Sequence, residues 1–373
     1  MKMSISPRAA NGSAPMPNPL KESVAMRALT YGYANTRIKA MRARLFTSKD
    51  YDGMISAKNE KELMSMLEKT DYRADLVNAS AYAKDDKVKL LDIAFARNFE
   101  RYFEKLNRVA PKDAEAFLSI TTRRYILKNI KTIFLGIHFK KPKDEIMPML
   151  MVAGQFKKDF YLSLLELKNA SELADRLEAK AELREYGKII RKHAQDSEIG
   201  ALMTELDKHY YSTMREMFGA AAVTDSKILS LLEAEIDERN VTNLVRALRE
   251  KPSEAEGFDA IEGGRISAKK VMNAFLAKNA EDVVKETASH YKIADVENLL
   301  KEGGSLVKFE IEFEKAVLGE SLRALRRSIL SLGAVIGFGY MKEAEIKNLR
   351  KILFGRRFSL GADEIKGELI IAA

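Results

Sequence analysis

The chain has 373 residues, with 63 Lys and Arg against 54 Asp and Glu, a net charge of +9 and no cysteine. The missing cysteine excludes disulfides, thiolate metal sites and thiol catalysis. The positive charge is compatible with nucleic acid, an anionic membrane surface or an acidic protein partner, and its mixing with acids is that of an ordinary solvated helix surface.

Residues 1–19 hold Pro7, Pro15, Pro17 and Pro19 among Ser, Asn, Gly and Ala, and read as a disordered extension. They contain no continuous apolar stretch, so no secretory signal is expected. The other four prolines, Pro111, Pro142, Pro148 and Pro252, are scattered through a body rich in Leu, Ala, Lys, Glu, Arg and Met, which favours helix. The longest apolar runs, 146–154 and 330–341, are broken by Pro or Gly and fall short of the roughly 18 residues of a membrane span.

A short element recurs from residue 58. Lys58-Asn59-Glu60-Lys61-Glu62-Leu63 matches Lys168-Asn169-Ala170-Ser171-Glu172-Leu173 and Lys278-Asn279-Ala280-Glu281-Asp282-Val283, and successive copies begin 110 residues apart. Asn59, Asn169 and Asn279 are predicted helix caps, with the acid three residues on reaching back to the Asn N–H. Each unit closes with an apolar helical stripe: Leu91, Phe95 and Phe99; Leu202, Leu206 and Tyr210; Phe309, Phe313 and, farther on, Ile329.

A second element precedes each cap. Lys128-Asn129-Ile130-Lys131-Thr132-Ile133 matches Arg239-Asn240-Val241-Thr242-Asn243-Leu244 and Lys347-Asn348-Leu349-Arg350-Lys351-Ile352, with a weaker copy at Thr36-Arg37-Ile38-Lys39-Ala40-Met41. The aliphatic residues one and four places after the Asn share a helix face. Gly154-Gln155-Phe156 and Gly264-Arg265-Ile266 follow the second and third copies and predict a turn. Arg37 precedes Lys58 by only 21 residues, so the first unit lacks that segment. The signature asparagines read either as structural amides where helices meet or as polar contacts for a partner.

The pattern predicts an all-α protein of three similar helical-bundle units of about 110 residues in a pseudo-threefold, funnel-like arrangement. Its expected parts are an extension 1–19, units 20–112, 113–222 and 223–333, and C-terminal helices 334–373 packing back on the units.

Chemistry is hard to find. No Gly-rich loop ends in Lys-Ser or Lys-Thr, and Gly337-Phe338-Gly339 reads as a bend or close approach between two helices. His138, His193, His209 and His290 form no zinc pattern, so neither metal nor cofactor is expected. Glu233, Glu235, Asp237 and Glu238 read as a solvated acidic patch.

At this point the residues resemble a known family, the C subunits of archaeal and bacterial A/V-type ATPases, counterparts of the d subunit of the vacuolar ATPase. Tyr33-Ala34-Asn35-Thr36-Arg37-Ile38-Lys39-Ala40-Met41-Arg42 carries the N-terminal match. Tyr340, Glu343 to Ile352, Gly355, Leu360 and Glu364-Ile365 carry the C-terminal one, and the resemblance spans roughly residues 25–370. The acid three places before the Asn, Asp237 or Glu345, is replaced by Ile126 in the second unit. The resemblance implies a non-catalytic rotor subunit, peripheral on the cytoplasmic face, that joins the central-stalk subunits to the proteolipid ring and passes torque between them. Neither nucleic acid nor a small-molecule substrate is then expected. The basic contributors to partner binding are expected among Arg37, Arg42, Arg44, Arg350, Arg356 and Arg357. The rival reading is a basic helical RNA-binding or scaffold protein.

Overall fold

The computed structural model describes residues 24–371 apart from 84, 111, 194–198, 221–225, 250–257, 294–305 and 327–332. The predicted extension 1–19 and Ile329 lie outside the described residues. Every regular element among the described residues is helical. The N-terminal group is α1 (Val24–Arg42), α2 (Ser48–Ile55), α3 (Glu60–Leu67), α4 (Arg73–Ser80) and α5 (Lys87–Val109). Next come α6 (Lys112–His138), α7 (Lys158–Leu164), α8 (Ala170–Glu178), α9 (Arg184–Lys192) and α10 (Ile199–Ala220). The third group is α11 (Ser226–Arg249), α12 (Ala268–Leu276), α13 (Glu281–Tyr291) and α14 (Leu306–Arg326), and the chain closes with α15 (Gly333–Arg357) and α16 (Ala362–Glu368).

Helix starts follow the sequence at two of the three predicted caps, Asn59 and Asn169, and Asn279 is corrected. Asn59 and Asn169 are the N-caps of α3 and α8, and each side chain accepts from the N–H three residues on. The partner acid reaches one residue farther than predicted: Glu62 accepts from Lys58 N at 2.6 Å and Glu172 from Lys168 N at 2.9 Å. Side-chain length explains this, because at α2 the shorter Asp50 reaches the N-cap Thr47 N–H itself, at 2.8 Å. In the third copy Ala280 is the N-cap, and Asn279, one place earlier, accepts from Glu281 N.

The stripes build three cores. The first joins Leu91, Phe95, Phe99 and Leu106 of α5 to Tyr51, Leu63 and Tyr72, and also to Ile346, Leu349, Ile352, Leu353, Ile365 and Leu369 from the C-terminal end. The second packs Ile130 and Ile133 of α6 on Leu173, Leu177, Leu202 and Leu206. The third packs Val241 and Leu244 of α11 on Val271, Val283, Phe309 and Phe313. Each fully buried Leu, Ile or Phe contributes roughly 1.5–3 kcal/mol, so the three stripes carry most of the fold.

Gly337-Phe338-Gly339 corrects an expectation. It is no bend, because it lies inside α15, but the close approach holds: a Cβ on Gly339 would lie 3.3 Å from the Phe103 ring of α5, and Phe338 is fully buried with its ring centre 5.7 Å from that of Tyr102.

Candidate functional site

The three signature asparagines do the same thing at three places. Asn129, Asn240 and Asn348 sit on the long helices α6, α11 and α15 and are buried to 2 % exposure or less. Asn129 donates from Nδ2 to the Met151 carbonyl at 3.1 Å and accepts from Met151 N at 2.9 Å. Asn240 forms the same reciprocal pair with Ile261, both bonds 2.8 Å, and Asn348 forms it with Ile370, both 2.8 Å. Each amide substitutes for a strand partner and clamps a non-helical segment 21 or 22 residues downstream. Their polar groups are thus used within the fold. Arg37, the weak fourth copy, is exposed on α1.

The third clamp alters the reading of the first unit. Its connecting segment is missing between Arg37 and Lys58, but Ile370 at the C-terminal end takes the place that Met151 and Ile261 hold in the other units.

The acid three places before the Asn also repeats where it is present. Asp237 accepts from Arg265 N at 3.2 Å, Ile266 N at 3.1 Å and Tyr291 OH at 2.6 Å. Glu345 accepts from Phe46 N at 2.8 Å and Tyr72 OH at 2.7 Å. Ile266 and Phe46 each stand just before a helix N-cap, Ser267 and Thr47. In the second unit Ile126 replaces the acid, and Leu183, the N-cap of α9 as Tyr72 is of α4, replaces the tyrosine. Both are buried in the second core. Gly154 has φ +88°, whereas in the third unit Gly263 has the positive φ, +101°. Gly264 serves close approach instead: a Cβ there would lie 2.1 Å from an Asp237 carboxylate oxygen.

Five places before each Asn, the three helices meet. Arg124 of α6 holds Glu235 of α11 with one guanidinium nitrogen and Glu343 of α15 with another, each at 2.8 Å. Tyr125 OH donates to Glu343 at 2.9 Å, Tyr340 OH donates to Glu235, and the guanidinium lies 4.5 Å from the Tyr340 ring centre. Burial opposes charge on Glu343, but Arg124, Lys347 and Lys128 hold its carboxyl well below the usual range. Sequence comparison missed this cluster because one copy carries the opposite charge. The predicted solvated patch is thereby corrected: Asp237 is fully buried and Glu235 is bound into the cluster.

From this cluster the helices line one cavity of about 620 Å³. The residue just before each Asn, Lys128, Arg239 or Lys347, contributes to its wall. Asp207 of α10 binds Lys131 at 2.5 Å and Arg239 at 3.5 Å, and Glu314 of α14 holds Lys347. Burial pulls Lys131 down to about 8 despite Asp207. Burial, with Glu314 close by, pushes Glu238 up to about 7.

The six candidate arginines part into two groups. Arg350 is spent inside the fold, on Asp92 at 2.6 Å and the Pro148 carbonyl at 2.6 Å. Arg44 pairs with Asp71 at 3.1 Å, and Arg356 donates to the Ile55 carbonyl at 2.7 Å. Arg37, Arg42 and Arg357 are exposed. Among the described residues no group of three or more acidic or histidine side chains could hold a metal, and no helix is long and apolar enough to cross a membrane.

Comparison with known proteins places this architecture. The ATP synthase (C/AC39) subunit family matches residues 34–368. The C subunit of the A-type ATP synthase of Haloquadratum walsbyi is 25% identical over 343 residues, covering 91% of this chain and 97% of that protein. The A-type ATP synthase C subunits of Halorubrum lacusprofundi and Methanocaldococcus jannaschii are 27% and 25% identical over 351 residues, covering 91% of this chain and 97% and 86% of theirs. The chain therefore belongs to the ATP synthase (C/AC39) subunit family and is a non-catalytic subunit of a rotary ATPase.

Proposed function

We propose that this protein is the central-rotor coupling subunit, joining the stalk to the membrane proteolipid ring on the cytoplasmic face and passing torque between them. The observation that carries the reading is the meeting of Arg124, Glu235 and Glu343, the same repeat position of three helices, at one point. We read this meeting of equivalent positions as the axis of three units of about 110 residues in a pseudo-threefold arrangement, and such a body can share its axis with a rotor. One end of that axis receives the stalk, and the other faces the ring. Arg37, Arg42 and Arg357 are the arginines free to steer such partners.

The test is removal and restoration of this subunit in the reconstituted complex. Without it, ion transport should stop while the catalytic head still hydrolyses ATP, and adding it back should restore transport. A head that needs this chain for hydrolysis refutes a purely mechanical role. Captured from its own cells, the tagged chain should bring stalk and proteolipid subunits with it.

A further inference from the structure

The long helices α6 and α15 end alike, to a degree that packing alone does not require. Seven places after the signature Asn, Gly136 and Gly355 accept from Lys141 N and Leu360 N, both at 2.8 Å, closing the same turn. Lys140 and Ser359 occupy the left-handed region in these turns, at φ 50° and 59°. Ile146 and Ile365 fill the space where a Cβ on either glycine would sit. Each rigid turn then holds a phenylalanine outward: Phe139 is 57% exposed and Phe358 72%. Both stand ten places after their Asn.

The charges nearby are as specific. Lys143 is occupied by Glu166, Asp144 by Lys89, and Arg356 by a backbone carbonyl. Lys140, Lys141 and Arg357 remain exposed, and no described acid lies within ion-pair distance of them. Both helices leave the Arg124 cluster in the same chain direction along one cavity. The tips follow 15 residues later, about 22 Å of helix. They therefore stand at one end of the molecule, which suits a flat partner.

We propose that these two helix ends form a membrane-surface contact, with Phe139 and Phe358 in the headgroup layer of an anionic bilayer and Lys140, Lys141 and Arg357 against lipid phosphates. Aromatic rings prefer that interfacial layer, and basic side chains are drawn to its negative potential. The proposal rests on the rotor reading, which requires one end of the axis to face the membrane, and it assigns that end to these two tips.

Vesicle co-sedimentation with the full-length chain tests it, using 3:1 phosphatidylcholine–phosphatidylglycerol against phosphatidylcholine alone. The protein should bind the anionic vesicles and not the neutral ones, and should be released by salt. Phe139→Ser with Phe358→Ser should weaken binding about tenfold, and Lys140→Glu, Lys141→Glu and Arg357→Glu together should abolish it, with unchanged circular dichroism. Failure of the wild type to bind anionic vesicles, or equal binding by the variants, overturns the proposal. If the variants instead lose the stalk or ring subunits while the wild type ignores vesicles, the tips are a protein interface, and the rotor reading survives alone. If vesicle binding follows the expected order but no ATPase subunit is captured, the rotor reading fails and the lipid contact stands.

Discussion

Asn129, Asn240 and Asn348 each satisfy one buried N–H and one buried carbonyl. Replacing any of them with Ala orphans both groups, at about 1–3 kcal/mol for each. Urea titration should show this loss at all three, and Asp should not rescue it, since it keeps the acceptor and loses the donor. Glu238 adds a pH signature. Its folded value of about 7 lies above the ordinary 4.5, so the native state holds the extra proton between those values. Stability contributed by that proton is present below about 4.5 and lost as pH rises through about 7. Glu238→Gln should therefore raise the melting temperature at pH 8 and change it little at pH 5. The asparagines were legible in the sequence as a repeat, but their work was not. Their partners lie 21 or 22 residues away in segments without helical or strand periodicity. The Arg124 cluster left a fainter trace: position minus five is ionisable in the three copies that carry the Asn, as Arg, Glu and Glu.

At the scale of elements, capping was the most legible feature because it is local. Asn59→Ala and Asn169→Ala should each cost about 1 kcal/mol. The helix-to-helix latch was not legible. Two units close it with a carboxylate and a tyrosine, Asp237 with Tyr291 and Glu345 with Tyr72, and the remaining one has Ile126 and Leu183 in those places, both buried in the second core. Both partners changed together, which is nearly neutral, whereas removing one leaves buried donors unpaired. Asp237→Ala should thus destabilise more than a cap loss, because it removes an acceptor shared by Arg265 N, Ile266 N and Tyr291 OH. Gly264→Ala should mimic it by pushing the carboxylate off those donors. Chemical denaturation of both variants checks the equivalence.

For the whole molecule, the helical class and the three repeats followed from proline placement, stripe spacing and the period of 110 residues. The expectation that helices 334–373 pack back on the units did not say which core they join. Comparison along a chain cannot see that residues near 350 complete a unit begun near residue 50. Ile365 and Leu369 come from that distant end. Deleting residues 362–373 should accordingly cost amide-exchange protection in α2 and α3 while α8 and α9 keep theirs. Equal loss in both regions would show that the three cores do not melt separately.

The same shared core has a consequence during biosynthesis. Leu353 emerges 244 residues after Val109, the end of α5. At about 5–20 residues per second, ribosomes need roughly 12–49 s to cover that distance. Throughout it, the apolar face of α5 that later meets Leu349, Ile352 and Leu353 has no partner. The second unit can settle on the nascent chain before the first one does, so the order of folding inverts the order of translation. That interval is when a chaperone has most to hold.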